Sequence, residues 1–167
     1  GTTNFVYGYP ATAVSIAVVD EATGESLAGV VVDVGRGEVF SAALGGGAFR
    51  DEQPMALADG PPDIARTLVG TGFSYSPAMR AEQAEVLARI LPIIRDIRRG
   101  GSAALDLCWA AAGRVDAYFE RGTAPWDRAA GRLVATETGL RYGFEGDLVW
   151  TAHPRIAEEL LALIRPS

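Results

Sequence analysis

The residues best suited to chemistry in this 167-residue chain lie in two short segments, one at its start and one in its last third. The first segment is Gly1-Thr2-Thr3-Asn4-Phe5. It is typical of the start of a short helix, where free backbone N–H groups favour a phosphate and where Gly1 lets a ligand come close to the backbone. Thr and Asn are also common helix caps, so these residues alone leave a phosphate site and a plain helix start both open.

The second segment runs from Glu120 to Gly131. Glu120 ends a predicted strand, a loop with Gly and Pro follows, and Trp126-Asp127 begins a predicted helix. Asp127 suits the N-cap position, and a carboxylate there also suits a hard cation. We expect Trp126 to pack in the interior. The last residues of the segment have almost no side chain, which allows their helix to approach another backbone or a ligand closely.

The other polar residues are predicted to have structural roles. His153 is the only histidine in the sequence, so neither a Ser-His-Asp triad nor a histidine-based metal cage is supported. We expect His153 at the surface or at a helix start, Arg98 and Arg99 in salt bridges at the end of a strand, and Asp106 facing solvent. The sequence contains no Walker-type loop and no dinucleotide fingerprint.

The elements that must position these segments change character along the chain. Residues 1–53 are predicted to form an antiparallel meander with strands at 13–19, 28–34 and 38–43, since short turns separate them. Residues 63–167 alternate helix and strand. The predicted helices are 86–91, 102–113, 127–138 and 154–164, and the predicted strands are 93–97, 115–120 and 147–152. This order indicates a layered α/β fold within one domain, 1–167.

Composition limits the function classes. Apolar residues make up 49% and charged residues 22%, as in a well-cored globular protein. The net charge of −6 argues against a dedicated nucleic-acid surface, and no apolar run is long enough for a membrane span. No secretion signal is visible, although the chain does not begin with Met. Cys108 is the only cysteine, which fits the reducing cytoplasm where we expect the protein.

The two chemical segments, in this order, resemble the signatures of the inositol monophosphatase family. Gly1 to Phe5 matches the end of the first signature, Asp-Pro-(Leu/Ile/Val)-Asp-Gly-Thr-Thr-Asn-Phe. Trp126 to Gly131 matches the second, Trp-Asp-x-Ala-(Ala)-Gly, and residues 99–108 and 113–120 look like further family segments. The resemblance implies an αβαβα sandwich, of which this chain is the C-terminal portion, beginning within the first metal-binding motif.

The family resemblance also implies a reaction, the Mg²⁺-dependent hydrolysis of a polyol phosphate such as inositol 1-phosphate. It implies that two backbone N–H groups hold the phosphate, that a threonine hydroxyl positions the attacking water, and that an aspartate binds the metal and substrate hydroxyls. A glutamate and a short backbone segment would hold the polyol. The site residues implied in this way are Gly1, Thr2, Gly101, Ser102, Ala103, Glu120 and Asp127.

The resemblance leaves alternatives open. Relatives with the same metal chemistry act on histidinol phosphate, fructose 1,6-bisphosphate or 3′-phosphonucleotides, and a non-catalytic regulatory protein could retain the fold. The other metal-binding carboxylates of the family precede the position of Gly1, so Asp127 by itself is not expected to form a competent metal cluster. The family usually forms homodimers, and we expect a two-fold pair here.

Overall fold

Two five-stranded sheets organise the chain, and a computed structural model describes residues 1–165. In the first sheet each strand pairs antiparallel with the next one along the chain. A tight turn that Asp20 stabilises joins the first two strands, because its carboxylate accepts the N–H groups of Ala22 and Thr23, both at 2.9 Å. The strands are β1 (Ala13–Val19), β2 (Ser26–Asp33), β3 (Glu38–Ala43), β4 (Gly47–Arg50) and β5 (Gln53–Met55).

The second sheet mixes parallel and antiparallel pairing. Its strands are β6 (Leu68–Thr71), β7 (Asp96–Arg98), β8 (Ala117–Arg121), β9 (Arg141–Glu145) and β10 (Leu148–Ala152). Their spatial order is β7-β6-β8-β10-β9. The strand β6 lies between β7 and β8 and is parallel to both, whereas β10 is antiparallel to β8 and β9. The carboxyl ends of three parallel strands therefore meet at one edge.

Five α-helices complete the described structure, together with a 3₁₀ turn at Ile64–Arg66. They are α1 (Thr2–Val6), α2 (Pro77–Ile90), α3 (Ala103–Ala111), α4 (Pro125–Glu137) and α5 (Ala157–Ile164). The pair α3 and α4 lies between the two sheets, and α2 and α5 cover the far side of the second sheet. Sheet, helix pair, sheet and helix pair follow one another, which is four of the five layers of the predicted sandwich.

Small residues allow α4 to lie very close to its neighbours. A Cβ added to Gly131 would be 2.8 Å from the Cβ of Leu107 on α3 and 3.1 Å from the carbonyl oxygen of Ala104. On the other side, a Cβ on Gly29 of β2 would be 2.8 Å from the Cα of Ala130. The predicted close approach of this helix to other backbone is confirmed, and it brings the beginning of α4 to the edge of the second sheet.

The outer face of β1 is not covered by any of residues 1–165. Val14, Ile16 and Val18 alternate along this strand and are 51–60% exposed. An outer helical layer over this sheet, the fifth layer of the predicted sandwich, is not present among residues 1–165. No helix in this part of the chain is both long and apolar enough to cross a membrane.

The sequence located the first and third strands correctly and several other elements approximately. It missed β4, β5, β6 and β9, and it placed a strand at 93–97 where β7 begins only at Asp96. The helix α2 begins at Pro77, with the Ser76 hydroxyl accepting the Met79 N–H, well before the apolar spacing that marked its second half. The missed strands have only three to five residues, and the first turns of α2 are mostly polar. The partners of β6, moreover, lie far from it in sequence.

Candidate active site

A cleft of about 290 Å³ lies at the carboxyl ends of the three parallel strands. Residues 72–75 follow β6, residues 99–101 follow β7, and residues 122–123 follow β8, whose last residue, Arg121, also lines the cleft. In α/β sheets, ligands bind outside the carboxyl ends of the strands, where the chain turns away to both sides. The beginnings of α1 and α4 close the remaining sides of this cleft.

The cleft brings together all but one of the residues that the sequence singled out. Ser102 is the exception, since its side chain is buried beside Gly1 and does not line the opening. The predicted residues that line the cleft are Gly1, Thr2, Gly101, Ala103, Glu120 and Asp127. Segments that are more than a hundred residues apart in sequence therefore contribute to one surface.

Buried Asn4 ties α1 to the segment before α3. Its side-chain amide donates to the carbonyl oxygens of Ala11 at 2.8 Å and Gly100 at 2.9 Å. Gly1 lies against backbone as well, since an added Cβ would be 2.9 Å from the Ala11 carbonyl oxygen. Gly101 has φ +83°, a conformation that a residue with a side chain rarely adopts. These contacts hold the backbone of the first segment beside that of Gly101.

Glu120 is held firmly at the base of the cleft. The Tyr118 hydroxyl donates to Glu120 Oε2 at 2.5 Å, and the two residues point to the same side of β8 because they are two apart. A Cβ on Gly72 would be only 1.9 Å from the same oxygen, so the carboxylate packs directly on that glycine. Burial raises the pKa of Glu120, while the Tyr118 hydrogen bond and the charge of Arg99 act in the other direction.

Asp127 occupies a different helix position from the one predicted. The helix begins after Ala124, so Asp127 is the third helical residue, and its Oδ2 accepts the Ala124 N–H at 3.0 Å. Ala124 has no side-chain acceptor, so only this half of a capping box exists. The carboxylate thus stabilises the helix start and still has Oδ1 available toward the cleft.

Several structural roles predicted for polar residues were wrong. Asp106 is 2% exposed, and burial, together with the charge of Glu120, raises its pKa to about 8. His153 is buried and not at the surface, although its Nδ1 accepts the Arg155 N–H at 3.1 Å in the turn that leads into α5, which fits the predicted place at a helix start. Trp126 is 75% exposed, because it lies in the first turn of α4 and points away from the layer beneath. Arg98 forms the expected salt bridge, with Asp96 at 2.6 Å, but Arg99 forms none among residues 1–165.

The cleft also contains residues that the sequence analysis did not identify. Phe73 and Tyr75 follow the unpredicted strand β6, and the Tyr75 hydroxyl lies 3.1 Å from that of Thr3 in α1. Arg121 pairs with Asp147 at 2.5 Å and anchors the loop after β8. The available signal was short: two apolar residues, Leu68 and Val69, followed by Gly70-Thr71-Gly72, a pattern consistent with the end of a buried strand.

The cleft does not by itself contain a complete metal site. Within residues 1–165, no group of three or more His, Cys, Asp or Glu side chains could hold a metal ion. Asp127 offers one free carboxylate oxygen, and Mg²⁺ prefers oxygen ligands in octahedral geometry. The described residues thus fit one ligand of a magnesium site and not the whole set.

Comparison with known proteins agrees with this geometry. The sequence profile of the inositol monophosphatase family matches residues 1–159. The inositol-1-monophosphatase of Mycobacterium bovis is 49% identical over 175 residues, which cover 99% of this chain and 60% of that protein. The Nus factor SuhB of Pasteurella multocida is 41% identical, covering 99% of this chain and 64% of that protein.

The fold agrees as well. The structure of Mycobacterium tuberculosis SuhB superposes with a TM-score of 0.90 at 49% identity, over 98% of this chain and 68% of that one. The chain thus spans about 60% of the length of the curated relatives it matches. The profile, the relatives and the shared fold lead to one conclusion: this chain belongs to the inositol monophosphatase family.

Proposed function

We propose that the protein hydrolyses a phosphate monoester of a polyol, with inositol 1-phosphate as the leading substrate. The observation that carries the proposal is that Gly1, Thr2, Glu120 and Asp127 line one cleft in a member of this family. Gly1 and Thr2 would donate backbone N–H groups to the phosphate, and the Thr2 hydroxyl would orient the attacking water. The carboxylate of Glu120 and the backbone at Gly101, Ser102 and Ala103 would hold the polyol, with Ser102 acting from a buried position.

We propose Mg²⁺ as the cofactor, with Asp127 as one of its ligands. The other ligands would have to come from outside the described residues, since residues 1–165 gather no complete set. When bound, the ion would polarise the phosphate and lower the pKa of the attacking water. Asp127 would also accept a hydrogen bond from a substrate hydroxyl, which would fix the polyol relative to the phosphate.

Phosphate release by the full-length protein tests this function. Inositol 1-phosphate should be hydrolysed in the presence of MgCl₂ and not after chelation with EDTA. Histidinol phosphate, fructose 1,6-bisphosphate and a 3′-phosphonucleotide should be turned over with lower kcat/KM. Glu120 disfavours the second anionic group of the bisphosphate and of the nucleotide, and histidinol phosphate has no free hydroxyl to donate to it. If one of these three is the best substrate, the assignment to inositol phosphate is wrong, although the phosphatase class stands.

A second candidate function is regulatory, and the relatives called Nus factor SuhB favour it. A non-catalytic protein would retain the fold and bind a partner without turnover. We keep the prediction of no direct nucleic-acid contact, which the net charge of −6 supports. Absence of phosphate release from every substrate above, in a folded full-length protein with magnesium, would favour the regulatory function.

We further propose a cytoplasmic homodimer. Phe5, Val6 and Tyr7 at the end of α1 are 74–84% exposed, and a contiguous apolar patch of this kind marks an interaction surface. Multi-angle light scattering of the full-length protein should give twice the chain mass. A monomer mass at micromolar concentration would contradict this proposal.

A further inference from the structure

Arg99 brings a positive charge to the cleft without a protein partner there. Its side chain lines the cleft and is exposed to solvent. The ion pairs among residues 1–165 involve other arginines, including the adjacent Arg98, which pairs with Asp96 at 2.6 Å. An arginine has five N–H donors, and those of Arg99 are left for solvent or a ligand.

The surroundings of Arg99 restrict where its guanidinium can lie. A Cβ on Gly101 would be 2.5 Å from Arg99 Nη1, so the head group lies directly against the backbone at that glycine. The guanidinium carbon is 6.0 Å from the centre of the Phe73 ring, at the limit of a cation–π contact. The loop after β7 and the loop after β6 therefore hold the head group between them, at the edge of the cleft.

Glu120 lines the same cleft as Arg99, and no ion pair within 4 Å joins the two side chains. The positive charge of Arg99 lowers the pKa of Glu120, so the two groups sense each other, yet no ion pair forms between them. Tyr118 holds Glu120 Oε2, and Gly72 lies against the same oxygen, so the carboxylate is anchored where it lies. No residue among 1–165 donates a hydrogen bond to its other oxygen, Oε1. The cleft thus presents an arginine without a protein partner and an anchored carboxylate acceptor to the same opening.

We propose that Arg99 is a substrate-binding residue that, together with Glu120, holds one hydroxyl of the polyol between them. A hydroxyl group accepts one hydrogen bond and donates another, so it satisfies the Arg99 donor and Glu120 Oε1 at once. A second phosphate in this place would be attracted by Arg99 and repelled by Glu120. The pair therefore favours a neutral hydroxyl group over a second phosphate at this position of the substrate. The inference rests on the proposed phosphatase function and assigns a specificity residue within it.

The test compares two substrates in the full-length protein with Mg²⁺. Inositol 1-phosphate carries ring hydroxyls, and 4-nitrophenyl phosphate carries none. For Arg99→Met we expect KM for inositol 1-phosphate to rise about 10-fold, the loss of one charge-assisted hydrogen bond, with little change in kcat. The kcat/KM for 4-nitrophenyl phosphate should change by less than about threefold, since this substrate cannot use the Arg99–Glu120 pair.

Arg98→Met is the matched control, because it is the same chemical change at the next residue, whose side chain does not line this cleft. It should leave KM for both substrates unchanged. Arg99→Lys keeps the charge but loses the planar fork, and it should recover part of the loss for inositol 1-phosphate. Melting of each variant, followed by circular dichroism, should match that of the wild type.

The outcomes separate this inference from the proposed function. If Arg99→Met lowers kcat/KM equally for both substrates, Arg99 binds the phosphate or supports the fold, and hydroxyl binding is refuted. If this substitution changes kcat/KM for neither substrate, Arg99 has no binding role. In both cases an active wild-type protein leaves the phosphatase function intact. A wild-type protein that hydrolyses neither substrate overturns the proposed function and, with it, the role of Arg99.

Discussion

Replacing Asp127 by Asn separates the two roles that its position allows. In the structure its Oδ2 accepts the Ala124 N–H at 3.0 Å in the first turn of α4, and Oδ1 remains available toward the cleft. An asparagine side chain keeps one carbonyl oxygen that can accept the same N–H group. It lacks the negative charge that a magnesium ligand provides, so capping and metal binding respond differently to this substitution.

Capping and metal binding predict effects on stability and activity that differ enough for one set of measurements to distinguish the two roles. Complete loss of a side-chain cap costs about 1 kcal/mol, and Asn retains most of that interaction, so the free energy of unfolding should change by less than about 0.5 kcal/mol. Loss of a metal ligand should lower kcat/KM for inositol 1-phosphate by at least about 100-fold, which corresponds to roughly 2.7 kcal/mol in the activation barrier.

The assay is phosphate release across a magnesium titration, paired with urea unfolding of the same full-length samples. Asp63→Asn is a suitable control, because the Asp63 carboxylate also accepts a backbone N–H, that of Arg66 at 3.1 Å, and does not line the cleft. It should leave both the unfolding free energy and the activity close to wild type. Full activity of Asp127→Asn at every magnesium concentration would refute the assignment of Asp127 as a ligand and leave capping as its role.

Three further predictions concern the packing and charge around the cleft. In Gly72→Ala the new Cβ would lie only 1.9 Å from Glu120 Oε2, so the carboxylate would have to move. Steady-state kinetics should therefore show a raised KM for inositol 1-phosphate. Gly131→Ala brings a Cβ to 2.8 Å from that of Leu107 and should lower the free energy of unfolding by about 1–3 kcal/mol in urea titrations. Burial raises the pKa of Asp106 from 3.8 to about 8, so between these values the folded state holds a proton that the unfolded state has lost, and stability falls as pH rises. Asp106→Asn removes this dependence, and its melting temperature should exceed that of the wild type by more at pH 8 than at pH 5; an equal difference at both pH values would contradict the raised pKa.

Much of the fold was predictable where a local pattern was strong. The strands Ala13–Val19 and Glu38–Ala43 were predicted at their observed limits, because β-branched and apolar residues between glycine turns leave few alternatives. The strand β6 was missed, although it lies between β7 and β8. It has only four residues, and its stability comes from parallel partners that are distant in sequence, which no local window records.

The candidate site shows the same division. Gly1, Thr2, Glu120 and Asp127 were identified from the two segments and their family resemblance, and all four line the cleft. Arg99 was assigned to a salt bridge instead, because an arginine at the end of a strand looks the same in sequence whether it pairs with a carboxylate or faces a cavity.

The sequence by itself determined the family, the strand-rich first third, the alternation of helix and strand that follows, and the two segments that contribute to the cleft. These properties depend on residue type and short-range spacing, which the chain carries in any conformation. The tertiary structure decided which groups face one another, because the parallel order of β7, β6 and β8 brings three loops to one edge. It also decided the charge state of Asp106, since a carboxyl group becomes hard to ionise only when folding removes the water around it.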